Sequence, residues 1–196
     1  MGAADAIALY HTIYPARNDL FFFANELFVY LLGAFHDLLA PVVWSKEKET
    51  HSANKVTLER LSIFFGDDRP GIIFPSGRLS KLTFFGLWDR PWEKTPIALA
   101  KKYNFPLIPV YVEGRNSWFF YFASYVNKQL RDVSQLNELF NKRDKNISIK
   151  IGKPVSVSSL SDNSDIAINQ LRYKSESLRK KALLKLNRFI YLRNLR

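Results

Sequence analysis

The chain of 196 residues contains no cysteine. This absence excludes disulfide bonds, a thiolate nucleophile and a thiolate metal site, and it agrees with a reducing, cytoplasmic compartment. Other chemical signatures are missing as well: the sequence has no Cys/His cluster for a metal, no glycine-rich phosphate loop and no Gly-x-Ser-x-Gly elbow. We therefore expect neither a metal site nor a bound cofactor.

Long hydrophobic runs are also missing. The longest apolar stretches, around 27–35 and 118–126, are far shorter than the roughly 20 residues that a membrane-spanning helix needs. The first residues, MGAADAIALYH, lack the basic segment that opens a signal peptide. We expect a protein that is soluble or lies on a membrane surface, peripherally at the inner face.

Acidic residues are few compared with basic ones. The chain has 18 Asp and Glu against 29 Lys and Arg, and its formal net charge is +11. Such an excess predicts an anionic partner, which can be nucleic acid, a phospholipid surface or a phosphorylated substrate. Disorder is excluded, because the hydrophobic content is 47% and the chain has 16 Phe, 9 Tyr and 4 Trp.

Short apolar runs alternate with stretches of helical spacing along the chain. This alternation predicts a single α/β domain with a largely parallel central sheet flanked by helices. The predicted strands are 20–24, 41–44, 71–74, 107–112 and 147–152, and the predicted helices are 3–14, 26–32, 52–65, 91–103 and 134–140. Gly66 is expected to end the third helix in a left-handed conformation. Ligands of such sheets bind at the carboxyl ends of the strands.

The composition changes after Gly152, where a Ser-rich connection leads into a basic, amphipathic segment at 166–196. Nine Lys and Arg in this segment face one acidic residue, Glu176. We therefore divide the chain into an α/β domain at 1–157 and a connection with a helical tail at 158–196. The tail is either a membrane-surface helix or a helix packed on the domain.

The segment IIFPSGRLSK, residues 72–81, runs from an apolar strand into a Pro-Ser-Gly-Arg turn. Backbone N–H groups and an Arg fork at a sheet edge suit a phosphate or a carboxylate. Taken alone, the turn is better explained as a structural turn with a solvated Arg78. A nucleophilic role of Ser76 is disfavoured, because the second glycine of an elbow is missing.

The longer segment GIIFPSGRLS resembles the third conserved block of the glycerolipid acyltransferases, the lysophosphatidic acid acyltransferase superfamily. That block has the pattern Phe-Pro-Glu-Gly-Thr-Arg-Ser. Four residues match it, namely Phe74, Pro75, Gly77 and Ser80, while Ser76 replaces the Glu and Arg78 stands one place early. Further segments follow the family's order: FFFANELF at 21–28, PVVWSKEK at 41–48, KYNFPLIPVYVEG at 102–114 and ISIKIGKPV at 147–155. Together the likeness covers residues 1–157.

The resemblance implies transfer of a fatty acyl group from acyl-CoA or acyl carrier protein to the hydroxyl of a lysophospholipid or related lipid, in membrane lipid biosynthesis. It implies that the anionic group of the acceptor is held by Ser76, Gly77, Arg78 and either Lys46 or Lys48. It also implies that the wall of the acyl-chain site includes Pro106, Pro109 and Val110. The thioester donor is a co-substrate, and no resident cofactor is implied.

The family's first block is an Asn-His pair followed, after about four or five residues, by an Asp. Asp5 stands at the position of this Asp, and the resemblance implies that it orients the His, which acts as general base. The His itself would precede Met1. His11, His36 and His51 are poor substitutes; His11, for example, is about 240° from Asp5 around a helix.

Two explanations fit the missing His. Either the protein starts upstream of Met1, which a helix that begins without a cap favours, or the gene is truncated and its product has lost the base. In the second case, the chain is a catalytically inactive remnant that binds a membrane surface. Nucleic-acid binding is a third and weaker alternative, suggested by the charge and the aromatic residues.

The aromatic stretch GRNSWFFYFASYV, residues 114–126, has two interpretations. It is either a surface that enters lipid, since Trp and Tyr favour the membrane interface, or a core helix. The sequence leaves both open.

We expect residues 1–196 alone to have little or no acyl-transfer activity, because the family's general base is absent from them. Such a group commonly contributes about 10²- to 10⁴-fold to the rate. Acyl transfer from a thioester to a lysolipid should be slower by at least this factor for residues 1–196 than for a chain extended upstream through an Asn-His pair. Equal rates for the two chains would contradict the expectation.

Overall fold

A computed structural model of the chain describes residues 3–25, 37–42, 51–77, 80–83, 86–114, 116–143 and 145–179. The chain forms two compact units, one at 6–77 and one that combines 1–5 with 78–196. Several predicted features lie outside the described residues: the helix at 26–32, the side chains of Lys46, Lys48 and Arg78, and the last part of the basic tail, 180–196.

The unit at 6–77 contains a three-stranded parallel sheet. Its central strand β1 (Phe21–Asn25) lies between β2 (Leu39–Val42) and β3 (Gly71–Ile72). Helix α1 (Ala3–Ile13) precedes β1, and helix α2 (His51–Gly66) precedes β3. The predicted mixed α/β class with parallel strands is confirmed in this unit.

The central strand is almost completely buried. Leu20 and Phe21 are fully inaccessible to solvent, and Phe22 and Phe23 are nearly so. A strand with neighbours on both sides and covered faces carries a continuous apolar run rather than alternating residues. The Phe21 ring packs against the ring of Phe64 on α2, with 4.7 Å between their centroids. This aromatic contact holds α2 against the sheet.

Arg69 connects the segments that lead into all three strands. Its guanidinium lies 4.0 Å from the centroid of the Phe64 ring. Its Nε donates to the carbonyl of Asp19 at 2.7 Å, and its Nη2 donates to the carbonyl of Asp37 at 2.8 Å. Asp19, Asp37 and Arg69 each stand two residues before a strand. One side chain therefore fixes the amino-terminal edge of the sheet.

The turn after α2 differs from the prediction. Gly66 is the last residue of α2, but the left-handed residue is Asp68, with φ 55°. The Asp68 carbonyl accepts a hydrogen bond from Arg17 Nη2 at 2.5 Å, which stabilises this turn. Arg17 also donates to both carboxylate oxygens of Asp19 at 2.9 Å, and these bonds hold the pKa of Asp19 below its usual value.

We predict that Arg69→Met lowers the free energy of unfolding by about 2 to 4 kcal/mol, because two charge-assisted hydrogen bonds and a cation–π contact are lost together. Arg69→Lys should recover only part of this loss, since an ammonium lacks the planar fork. Urea denaturation gives the free energy of unfolding.

Arg60→Met is the matched control, because the Arg60 guanidinium lies 5.4 Å from the same Phe64 ring. Arg60→Met should lower the free energy of unfolding less than Arg69→Met does. Equal losses for the two variants would show that the carbonyl bridges of Arg69 contribute nothing.

The second unit contains two antiparallel strand pairs. A hairpin joins β4 (Lys81–Thr83) to β5 (Gly86–Trp88), and β6 (Val110–Glu113) pairs with β7 (Ser148–Ile151). The sequence predicted strands near β6 and β7, but it did not indicate that they pair with each other. The β4–β5 hairpin was not predicted.

Helix α3 (Thr95–Tyr103) begins four residues later than the pattern predicted, because Pro96 rather than Pro91 occupies its first turn. Helix α6 (Ser164–Ser177) begins after Asn163, whose side-chain oxygen accepts from the N–H of Asp165 at 2.9 Å. The two helices bury a shared core consisting of Ile97, Val155, Leu160, Ala167, Ile168 and Leu171. This part of the predicted tail packs on the domain. In the described part of the chain, no helix is long and apolar enough to cross a membrane.

Helices α4 (Trp118–Val126) and α5 (Lys128–Asn141) pack together as a hairpin, separated by Asn127. Glu138 on α5 is 2% exposed and closes this hairpin. Its carboxylate accepts from the N–H of Ser117 at 2.9 Å, from the Ser117 hydroxyl and from Lys142 Nζ at 3.1 Å. Ser117 Oγ in turn accepts from the N–H of Phe120 and caps α4.

The hydrogen bonds also set the protonation of Glu138. Burial raises its pKa, but donation from Ser117, Lys142 and Asn141 outweighs burial, and the pKa lies below its usual value. The carboxylate therefore stays ionised inside the hairpin.

We predict that Glu138→Gln destabilises the protein by about 2 kcal/mol at neutral pH, because the nearly buried Lys142 loses its anion. A lowered folded-state pKa contributes stability above the unfolded-state pKa, about 4.3, and this contribution disappears as the pH falls through the folded-state value. The difference between the two proteins should therefore vanish in strong acid.

Thermal unfolding from pH 7 to pH 3 measures this difference. Glu113→Gln is the control, since Glu113 is half-exposed and lies 3.9 Å from Lys150. A loss of stability in Glu138→Gln that does not change with pH would contradict the assignment of Glu138 as a buried carboxylate.

Candidate functional site

The Pro-Ser-Gly turn follows the carboxyl end of β3 after two residues, Ile73 and Phe74. The N–H of Gly77 donates to the carbonyl of Phe74 at 2.9 Å and closes the turn. Gly77 has φ 57°, a left-handed conformation that strains residues with a Cβ. The glycine of the third block is thus required by the backbone, while Ser76 lies half-buried within the turn.

The carboxyl ends of parallel strands meet at one edge of a sheet. β1 ends at Asn25, β2 ends at Val42, and β3 leads into the turn at 74–77. The chain continues from Val42 into 43–50, the segment that contains Lys46 and Lys48 and lies outside the described residues. The carboxyl ends of the three strands, each of which overlaps a family-like segment, therefore share the edge opposite Arg69.

The third block extends across the boundary between the two compact units, since Gly77 belongs to one and Ser80 to the other. Between them, Arg78 is outside the described residues. Ser80 Oγ donates to Asp89 Oδ1 at 3.4 Å, and Asp89 Oδ2 accepts from Trp92 Nε1 at 2.9 Å. Ser80, the last matching residue of the block, is thus linked to the end of the β4–β5 hairpin.

Asp5 lies in the first turn of α1 and is half-buried. His11 is in the last turn of the same helix and is exposed. Six residues of continuous helix separate them by about 240°, so His11 faces away from Asp5 as predicted. The orienting role of Asp5 stays a prediction.

The residues assigned to the acyl-chain wall lie where β6 begins. Pro109 is buried, and its carbonyl accepts from the N–H of Gly152 at 2.8 Å. A Cβ at Gly152 would lie 2.9 Å from Pro109 Cγ, so only glycine fits this close approach. The fourth block and the closing Gly-Lys-Pro block are therefore paired. Pro106 is exposed and Val110 is half-buried, and their role in binding an acyl chain stays a prediction.

The sequence did not reveal two α6 side chains that hold this region. The buried Ser175 hydroxyl donates to the Val110 carbonyl at 2.6 Å. Arg172 donates to the carbonyls of Asp89 and Arg90 at 3.4 Å and to Glu176 at 2.8 Å. A signal for Ser175 exists in hindsight, because it follows Leu171 by four residues on the apolar stripe of the helix.

Two curated proteins are similar to the chain, and both are named lyso-glycine lipid O-acyltransferase. The protein from Phocaeicola vulgatus is 28% identical over 162 residues, which are 79% of this chain and 56% of the relative. The protein from Bacteroides thetaiotaomicron is 29% identical over 164 residues, 79% of this chain and 57% of the relative. The chain thus spans little more than half the length of these relatives.

No solved structure gives a significant match to the chain. A family model described as Acyltransferase matches residues 1–190, which is nearly the whole sequence. This match includes the carboxyl edge of the parallel sheet, the third-block turn and the paired β6 and β7 strands. The chain belongs to this acyltransferase family.

Proposed function

We propose that the chain forms the acceptor-binding part of a lipid O-acyltransferase, which transfers a fatty acyl group from a thioester to a lysolipid hydroxyl. The observation that carries the proposal is the carboxyl edge of the parallel sheet, where the left-handed Gly77 turn and the segment after β2 leave their strands. Family membership and two lipid acyltransferase relatives support it.

The proposed chemistry has one displacement. The acceptor hydroxyl loses its proton to a general base, and its oxygen forms a bond to the thioester carbonyl carbon. The carbon–sulfur bond then breaks, and the base returns the proton to the sulfur, which leaves as a thiol. Asp5 would orient the imidazole of that base, in a division of roles that many hydrolases and transferases share. The donor is acyl-CoA or acyl carrier protein.

We propose a lyso-glycine lipid as the acceptor, in preference to lysophosphatidic acid. The relatives' names support this choice, and so do the departures of the turn from the family block. Ser76 in place of Glu and the early position of Arg78 change the groups that meet the anionic end of the acceptor. An Arg fork binds a carboxylate as well as a phosphate.

We further propose that the protein acts at an anionic membrane surface on the inner face of the membrane. Its net charge of +11 supports this location, because basic proteins accumulate at anionic lipids, where the acceptor is found. A catalytically inactive, membrane-binding remnant is the alternative function.

The proposal predicts acyl transfer to a lyso-glycine lipid that exceeds transfer to lysophosphatidic acid in a chain extended upstream through an Asn-His pair. Arg78→Ala should raise the KM for the acceptor about tenfold or more, since it removes a charge-assisted contact. The KM of Arg78→Lys should lie between those of the unchanged protein and Arg78→Ala. Steady-state kinetics with detergent-dispersed acceptor measure these constants.

Lys81→Ala is the matched control, because it removes one positive charge three residues away. Its KM should stay close to that of the unchanged protein. Unchanged kinetic constants in Arg78→Ala would show that Arg78 is not part of the acceptor site. A preference for lysophosphatidic acid would contradict the proposed acceptor. Absence of transfer to either lipid would favour the inactive, membrane-binding remnant.

A further inference from the structure

Helix α4 has a large apolar face that the described residues leave open. Trp118 is 80% exposed, Phe119 59%, Phe122 61% and Val126 60%. At about 100° per residue these four positions fall within an arc of about 100° on one side of the helix. Phe120, on the other side, is 1% exposed and faces the core. The helix therefore buries one apolar face and presents a second to solvent.

The end of α5 places one more exposed aromatic residue at the same end of the hairpin. Glu138 accepts from Ser117, so the last turn of α5 lies beside the first turn of α4. Phe140, which is 75% exposed, is on that last turn. Exposed aromatic residues from both helices therefore occur at the same end of the hairpin. We call Trp118, Phe119, Phe122 and Val126 the aromatic face, and Phe140 lies near its amino-terminal end.

Positive charge accompanies the aromatic face at this end of the hairpin. Arg143 and Lys145 directly follow α5, and both side chains are exposed. Among the described residues, Glu138 near the end of α5 is buried and engaged by Lys142 and Ser117. Asp144 stands between Arg143 and Lys145 in the sequence. Because the chain carries a net charge of +11, a surface with the exposed Arg143 and Lys145 beside it attracts an anionic partner.

We infer that the aromatic face is a docking surface for an anionic lipid bilayer. Trp and other aromatic side chains partition into the headgroup region of a membrane, and flanking Lys and Arg are attracted to anionic headgroups. A short helix of this composition lies in the plane of the interface and does not cross the bilayer. The inference deepens the proposed membrane location and names the surface that produces it.

The buried Glu138 network gives the docking surface its rigidity. It caps the first turn of α4 through Ser117 and ties that turn to α5. A surface of fixed geometry loses less conformational freedom on binding than a flexible loop does. The aromatic face should therefore dock as a preformed unit.

Co-sedimentation of the full chain with phosphatidylcholine vesicles, with and without phosphatidylglycerol, tests the inference. The unchanged protein should bind the anionic vesicles preferentially. Trp118→Ala should weaken this binding about tenfold, since one large side chain leaves the interface. Trp88→Ala is the matched control, because Trp88 on β5 is also exposed but is outside the aromatic face, and its binding should be unchanged.

The double variant Arg143→Gln/Lys145→Gln tests the charge contribution. It should reduce binding to anionic vesicles and leave the weak binding to neutral vesicles unchanged, and added salt should remove the difference. Lys102→Gln/Lys153→Gln removes two exposed charges elsewhere in the same unit and is the control. Circular dichroism of each variant verifies that it is folded.

Equal binding of Trp118→Ala and the unchanged protein would overturn the inference. So would a change in oligomeric state of Trp118→Ala on size exclusion, which would assign the aromatic face to a second copy of the chain. Acyl transfer to detergent-dispersed acceptor does not require docking, so it can persist when vesicle binding fails. Failure of the docking inference can therefore be distinguished from failure of the proposed acyl-transfer function.

Discussion

The guanidinium of Arg69 is the interaction on which the parallel sheet depends. Parallel strands are not joined by tight turns, so their alignment must be fixed by contacts between distant segments. Arg69 provides such a contact, because it donates to the backbone just before β1 and just before β2 while it stands just before β3. Its face lies on Phe64, which packs in turn on the central strand. The charge is thereby partly shielded from water, which strengthens both hydrogen bonds.

Arg69 fixes the amino-terminal edge of the sheet, and we propose that the acceptor binds at the opposite, carboxyl edge. The carboxyl ends of the three strands are not closed by a comparable side chain in the described residues, and the left-handed Gly77 turn projects from β3 at this edge. In the second unit, other side chains hold the backbone in place. Its α6 helix holds the fourth block through Ser175 and the end of the β4–β5 hairpin through Arg172. In both units, side chains from distant parts of the chain hold the backbone within or near the family-like segments.

Secondary structure was predicted correctly where the local pattern of apolar residues was strong. The run LFFFA at 20–24 predicted β1 within one residue, and the bounds of α1 and α2 were also within one residue of the structure. Errors occurred where two residues competed for one role. Asp68 took the left-handed position expected for Gly66, because Arg17 binds its carbonyl, and Pro96 replaced Pro91 in the first turn of α3. Of the proposed site, the turn residues Ser76 and Gly77 were located, but Ser175 and Arg172 were not, since their partners are more than sixty residues away.

The sequence by itself determined the α/β class and the acyltransferase family, because these depend on composition and on contiguous motifs. The need for glycine at position 77 follows from its left-handed φ in the structure. The tertiary structure decided the pairing of β6 with β7, the burial of α6 in the core and the opposite orientation of the two faces of α4. An amphipathic or aromatic pattern indicates that a surface is apolar. It does not indicate whether other parts of the protein bury that surface. Only the folded chain shows that Phe120 is enclosed while Trp118 remains exposed.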